Sequence, residues 1–263
     1  MGFKSILKAI TVAALMLAPV TAHADKLQDI LDRGKIRIGI LLDVPPWGMN
    51  DAEGKPTGLD VEVAELLAQE LSVDLDIVQV TGTNRIPNLL SDQTDIIIAA
   101  MGATSERAQQ VMFSNPYTAV QLGVFGSPEI GQSEDVSILD GKTIAVARGT
   151  TLDLWLSDNV PSGTTLARFD DVPGAMAAYL AGQADMFAEN SAIISNLRTE
   201  RPEIEIAPVF EIRQSPAHIG VPMGEHNLLQ WVNTFIFTNV INGKLPELQE
   251  KWFGTKRGDF PAL

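Results

Sequence analysis

Arginine, threonine and glycine recur together in this chain. Arg85 follows Asn84, Arg107 closes Thr104-Ser-Glu-Arg107, and Arg148 opens Arg148-Gly-Thr-Thr151. A guanidinium is a planar fork of N–H donors that matches a carboxylate. Small hydroxyl residues and glycines at helix starts add free backbone N–H groups and partial positive charge, which also favour anions. Around this set stand Asp43 and Trp47 in the loop 43–48, Met101 and Gly102 ahead of Thr104, Thr150 beside Thr151, and the pair Glu189-Asn190. These types describe a binding site for a small carboxylate-bearing ligand. Each has a plainer alternative. Arg107, next to Glu106, fits a surface charge; Thr104 and Thr151 fit helix caps, and so do Glu189 and Asn190. Trp47 fits a plug at a domain edge, and Arg148 a partner for Asp153.

Patterns that do chemistry are missing from the sequence. The three histidines, His23, His218 and His226, show no metal-ligand spacing, and the last two read as surface or cap residues. The Gly-x-Ser-x-Gly elbow, the phosphate-binding Gly-x-x-x-x-Gly-Lys loop and the dinucleotide Gly-x-Gly-x-x-Gly do not occur. With no cysteine, there is no thiolate metal site, disulfide or cysteine nucleophile. The reading therefore names no catalytic residue, metal or cofactor, and the protein is expected not to be an enzyme.

The elements that must position these residues follow from periodicity. A short helix is predicted over 25–33. A strand over 35–42 alternates and then becomes continuously apolar, as buried parallel strands do. A turn-rich connector spans 51–58; Asp60 can cap the next helix, whose stripe is Val61, Ala64, Leu67, Ala68 and Leu71. Strands at 73–80 and 95–100 flank a helix starting at 84–90. The pattern restarts with a strand at 143–147, a helix at 150–157, a strand at 165–169, a helix at 172–181 and a strand at 185–188. Helices at 227–242, with Gly243 as its cap, and at 245–253 close the chain. Two βαβαβ blocks predict an α/β fold of two similar lobes rather than one large sheet. In open parallel sheets ligands bind at the carboxyl ends of strands, and every candidate named above lies just after a predicted strand.

The 263 residues allow one or two domains. Thirty-three acidic against 19 basic residues give a net charge of −14, which argues against a nucleic-acid partner. Residues 1–24 read as a cleavable signal peptide: Lys4 and Lys8, then an apolar stretch too short to span a bilayer, then Ala22-His23-Ala24 before Asp25. Its removal leaves a periplasmic product without a lipid-bearing cysteine.

The sequence resembles the periplasmic polar-amino-acid-binding proteins that feed ABC importers (extracellular solute-binding protein family 3, type II periplasmic-binding fold). The resemblance rests on Pro45-Pro46-Trp47, Thr57-Gly-Leu-Asp-Val-Glu-Val-Ala64, Thr104-Ser-Glu-Arg107 with Phe113-Ser-Asn-Pro-Tyr117, 139–151, Ala181-Gly-Gln-Ala-Asp185 and Ile219-Gly-Val-Pro222. It implies two lobes, each a mainly parallel sheet flanked by helices, joined by crossovers near 118–122 and 211–217. Lobe one would be 25–118 plus 217–263, and lobe two 119–216. It further implies that Arg107 grips the ligand α-carboxylate, with Gly102 five residues before it making a main-chain contact. Thr150 and Thr151 would reach the same carboxylate from lobe two, and Arg85 would line the side-chain pocket. The string Asn84-Arg-Ile-Pro87 also occurs in glutamate/aspartate-binding relatives. The chain departs from the family at Ala99 and Gly102, often serine or another polar residue; at Val44, often aromatic; and at Asn190, usually the aspartate that holds the ammonium, with Glu189 beside it.

The resemblance implies a monomeric receptor that closes on a polar amino acid and delivers it to inner-membrane permease subunits. Three arginines favour an acidic ligand. The alternatives are a cyclohexadienyl-dehydratase-like enzyme on the same scaffold, with Glu189 as its general acid, and a ligand-presenting sensor.

Overall fold

The computed structural model describes residues 25–255; the predicted signal peptide lies outside the described residues. Asp25 accepts an N–H bond from Leu27 and caps α1 (Lys26–Arg33), which Gly34 ends in a left-handed turn. The apolar run then forms β1 (Lys35–Ile40), with Ile36, Ile38 and Ile40 fully buried. The connector carries a small hairpin, β2 (Met49–Asn50) with β3 (Pro56–Thr57). Next come α2 (Leu59–Leu71), β4 (Asp74–Gln79), α3 (Arg85–Leu90) and β5 (Ile96–Ile97). The expected strand at 95–100 is this short because both its ends are engaged elsewhere. Asp95 is tied to Arg33 and Arg37, and Ala100 turns away at φ 48°.

β4-β1-β5 are parallel neighbours and make the first lobe's sheet. In the second, β7 (Thr143–Ala147) lies between parallel β8 (Thr165–Phe169) and β9 (Met186–Asn190). Its helices are α4 (Thr151–Asn159), α5 (Val172–Leu180) and α6 (Ser191–Glu200). Both predicted βαβαβ blocks are present.

The two sheets are nonetheless joined by hydrogen bonds. β6 (Val111–Gly126) and β10 (Ala207–Pro222) are antiparallel along their length, and β10 also borders β5 while β6 borders β9. The result is one continuous order, β4-β1-β5-β10-β6-β9-β7-β8. Sequence periodicity predicts neither full strand, because each exchanges neighbours halfway and is interrupted by register shifts. α7 (His226–Ile241) returns to pack on β6, and α8 (Lys244–Phe253) packs on α2.

Two local expectations are corrected. α2 is capped by Gly58, not Asp60, which sits inside the first turn and is fully buried. His218 is no surface residue: it is buried, with Nδ1 2.7 Å from Ser114 O, and burial lowers its pKa.

Candidate functional site

A cleft of about 770 Å³, measured to its open mouth, runs between the lobes. The first lobe contributes Asp43, Val44 and Trp47 from the loop after β1, Thr81, Gly82 and Arg85 from the start of α3, and Ala100 after β5. The second contributes Arg148, Thr150 and Thr151 after β7, Asp170 and Asp171 before α5, and Glu189 and Asn190 at the end of β9. The crossover strands supply the floor, with Val120 and Leu122 on β6 and Ser215, Pro216 and Ala217 on β10.

Helix starts bring the second-lobe residues to this place. Thr150 Oγ1 accepts from Asp153 N and caps α4, Asp171 caps α5 through Gly174 N, and Asn190 Oδ1 caps α6 through Ala192 and Ile193 N. Of the residues read as caps, Asn190 is one and also stands at the cleft, so the two readings are compatible there; Thr151 is instead the first residue of α4, capped by Thr150, and Glu189 belongs to the end of β9.

Arg85 is the buried cation of the wall, 4% exposed. Its Nη1 donates to Ala99 O at 2.6 Å, and its Nε is buried without a protein partner. Burial, aided by the nearby charge of Arg107, lowers its pKa to about 9, so it stays charged at neutral pH. Across the cleft, Glu189 is pushed up to about 7 by burial, against the stabilising bonds from Asn190 N and Nδ2, each 2.8 Å. Asp43 is also raised, first by burial and then by the carboxylate of Asp171, and its Oδ1 has no protein partner. Trp47 is 1% exposed; it packs edge-on against Phe253 and its Nε1 donates to Asn190 Oδ1 at 3.4 Å, across the cleft.

Eight of the eleven residues expected at the site line this cleft: Asp43, Trp47, Arg85, Arg148, Thr150, Thr151, Glu189 and Asn190. Met101, Gly102 and Arg107 do not. Met101 is fully buried against Gly220. Arg107, 5% exposed, turns its guanidinium to protein acceptors: Gly102 O at 2.6 Å, and across the cleft Gly149 O at 2.8 Å and Thr151 Oγ1 at 3.3 Å. Burial lowers its pKa. Arg148 does not pair with Asp153. Asp153 takes Arg168 Nε at 2.7 Å and Gly149 N at 2.9 Å, whereas Arg148 stands half-exposed at the rim, 3.8 Å from Asp170. Residues missed by the sequence reading include Thr81, Ala100, Asp171 and Ser215. Asp171 before Val-Pro is a recognisable cap and strand-end signal; Ser215 lies inside a long strand and carries none.

The fold and the cleft define the class: a two-lobed α/β receptor that takes a small polar molecule between its lobes. Residues 36–255 match the bacterial extracellular solute-binding proteins, family 3, and the chain belongs to that family. It is 27% identical over 259 residues to the L-cystine-binding protein TcyJ of Escherichia coli, covering 97% of this chain and 96% of that one. The solved structure of the solute receptor for L-cysteine of Neisseria gonorrhoeae is 31% identical, with a TM-score of 0.79 over 86% of this chain and 92% of that one. That of the ancestral amino acid-binding protein AncCDT-1, a precursor of cyclohexadienyl dehydratase, is 27% identical, with a TM-score of 0.78 over 86% and 99%. Among the described residues, no helix is long and apolar enough to cross a membrane.

Proposed function

We propose that the chain is the periplasmic receptor of an ABC importer and captures a polar amino acid by closure of lobe one (25–118 plus 217–263) over lobe two (119–216). One observation carries the ligand class: the wall separates charge. Arg85 lines the cleft as a buried cation, while Asp43, Asp171 and Glu189 bring carboxylates to the same space. A zwitterion complements both. Amino-acid-binding relatives, including the ABC transporter glutamine-binding protein GlnH, support the same reading. Closure needs no chemistry, since a ligand that binds the closed state better shifts the population toward it.

In this reading residues 1–24 direct export and are removed before Asp25, and the receptor works as a monomer with inner-membrane permease subunits. A dehydratase would call on Glu189 as a buried acid, but Glu189 already accepts two bonds from Asn190. Of the three arginines, Arg85 is the one that both lines the cleft and is buried, and in this reading the acid-or-amide preference of the site follows that residue.

The test is a thermal-shift screen over amino acids and small organic acids. A ligand at about 100 times its Kd stabilises the folded state by about 2.7 kcal/mol. A shift with an amino acid supports the reading, and no shift with any of them sinks it.

A further inference from the structure

Behind the cleft wall lies a carboxylate that plays no part in the site as described. Asp60, in the first turn of α2, is fully buried. Its Oδ1 accepts from Tyr117 Oη at 2.6 Å and its Oδ2 from Ala100 N at 2.9 Å. Asp60 does not line the cleft, but Ala100 and Arg85 do. A buried carboxylate carries a desolvation cost, and burial pushes this one up to about 7 despite both bonds and the attraction of Arg85. Helix capping does not account for it, because Gly58 holds the cap position.

The two bonds and the charge point to one place. Ala100 stands at φ 48°, a region that residues with a side chain rarely occupy unless the surroundings hold them there. Asp60 holds the N–H of Ala100, and Arg85 Nη1 holds the carbonyl just before it, Ala99 O at 2.6 Å. The turn is clamped from both sides by opposite charges. It continues to Met101, whose O accepts from His218 N, and to Gly102, whose O accepts from Arg107 Nη1. A shift at Ala100 therefore moves the acceptors of two arginines.

We propose that Asp60 is a positioning residue of the ligand site: it fixes the Ala99–Ala100 turn and offsets the charge of Arg85, which sets how strongly that guanidinium holds a ligand carboxylate. This rests on reading the cleft as an amino-acid site. The two effects separate by substitution. Asp60→Asn keeps an oxygen for Ala100 N–H and places an amide toward the Tyr117 oxygen, but removes the charge. Asp60→Ala removes both bonds and releases the turn.

The test takes the tightest-binding ligand from a screen of the proteinogenic amino acids and L-cystine, together with its carboxamides. Dissociation constants are measured by calorimetry at about pH 8, above the pKa of Asp60, and melting temperatures in parallel, for wild type, Asp60→Asn and Asp60→Ala. With its charge no longer offset, Arg85 in Asp60→Asn should bind the free acid about three- to tenfold more tightly, while affinity for the amide that loses Arg85 changes by less than about twofold. Asp60→Ala should weaken acid and amide alike, by about tenfold or more. An unchanged acid-to-amide ratio in Asp60→Asn, or equal weakening of both with a lower melting temperature, overturns the proposal. Should Asp60→Asn not fold, Asp60→Asn/Arg85→Met removes both charges and is expected to fold and to lose the acid preference; a preference that persists overturns it. Wild type binding no amino acid defeats the amino-acid reading and this role with it. Wild type that binds while Asp60→Asn leaves the ratio unchanged defeats this role alone.

Discussion

Arg107→Ala separates two roles for that arginine. In the resemblance it grips the ligand carboxylate, whereas in this structure its donors reach protein acceptors in both lobes. The bond to Gly102 O stays within the first lobe and survives any hinge motion. The bonds to Gly149 O at 2.8 Å and Thr151 Oγ1 at 3.3 Å exist only when the lobes are together. A bond from a charged group contributes about 1.5–3 kcal/mol, and a long one to a hydroxyl roughly 0.5–1. Losing both should destabilise the closed state by about 2–4 kcal/mol, which is about 30- to 700-fold in affinity. If closure is what Arg107 secures, the loss is the same for a free acid and its amide, and the saturated variant scatters as a more open particle. If it anchors the carboxylate directly, the acid suffers far more than the amide. Arg107→Lys, which keeps the charge but not the fork, should fall between wild type and alanine. Calorimetry against acid and amide, with small-angle scattering at saturation, distinguishes these outcomes. Near-native affinity in Arg107→Ala would refute both roles.

Three further outcomes follow from the same contacts. A Cβ on Gly102 would lie 2.7 Å from Thr151 Oγ1, so Gly102→Ser should oppose closure by about 1–3 kcal/mol; calorimetry should show weaker binding, and Thr151→Ala in the same chain should restore part of it. Burial holds Glu189 near 7, above its unfolded value of 4.5, so the folded state binds the extra proton and stability falls as pH rises between those values. Glu189→Gln should remove that slope and raise stability above pH 7 by about 1–3 kcal/mol, read from melting temperatures between pH 5 and 9; parallel curves would contradict it. Ligand should also shrink the radius of gyration, and Trp47→Phe, which deletes the cross-cleft bond to Asn190, should weaken that response without abolishing it; an unchanged scattering profile of saturated wild type would argue against hinge closure.

Local signals carry this sequence a long way. The alternation of β1, the cap Asn190, and the apolar stripe of α7 are short-range features. Strand or helix identity depends there on which face of a few consecutive residues must leave water. Because both lobes repeat β-α-β, the same signals also mark the strand ends where ligands sit, and eight of the eleven expected site residues stand on the cleft. What the tertiary structure alone decided concerns partners distant in the chain. β6 and β10 each serve two sheets, so their burial follows no single period, and their pairing joins residues about a hundred positions apart. Asp60 has the look of a helix cap until Tyr117 and Ala100 are placed against it. Arg107 has the spacing of a carboxylate anchor, but where its donors point depends on Gly149 and Thr151 in the other lobe. A hydrogen bond needs its partner within about 3 Å at a favourable angle, and for these residues that geometry is set by how the two lobes meet.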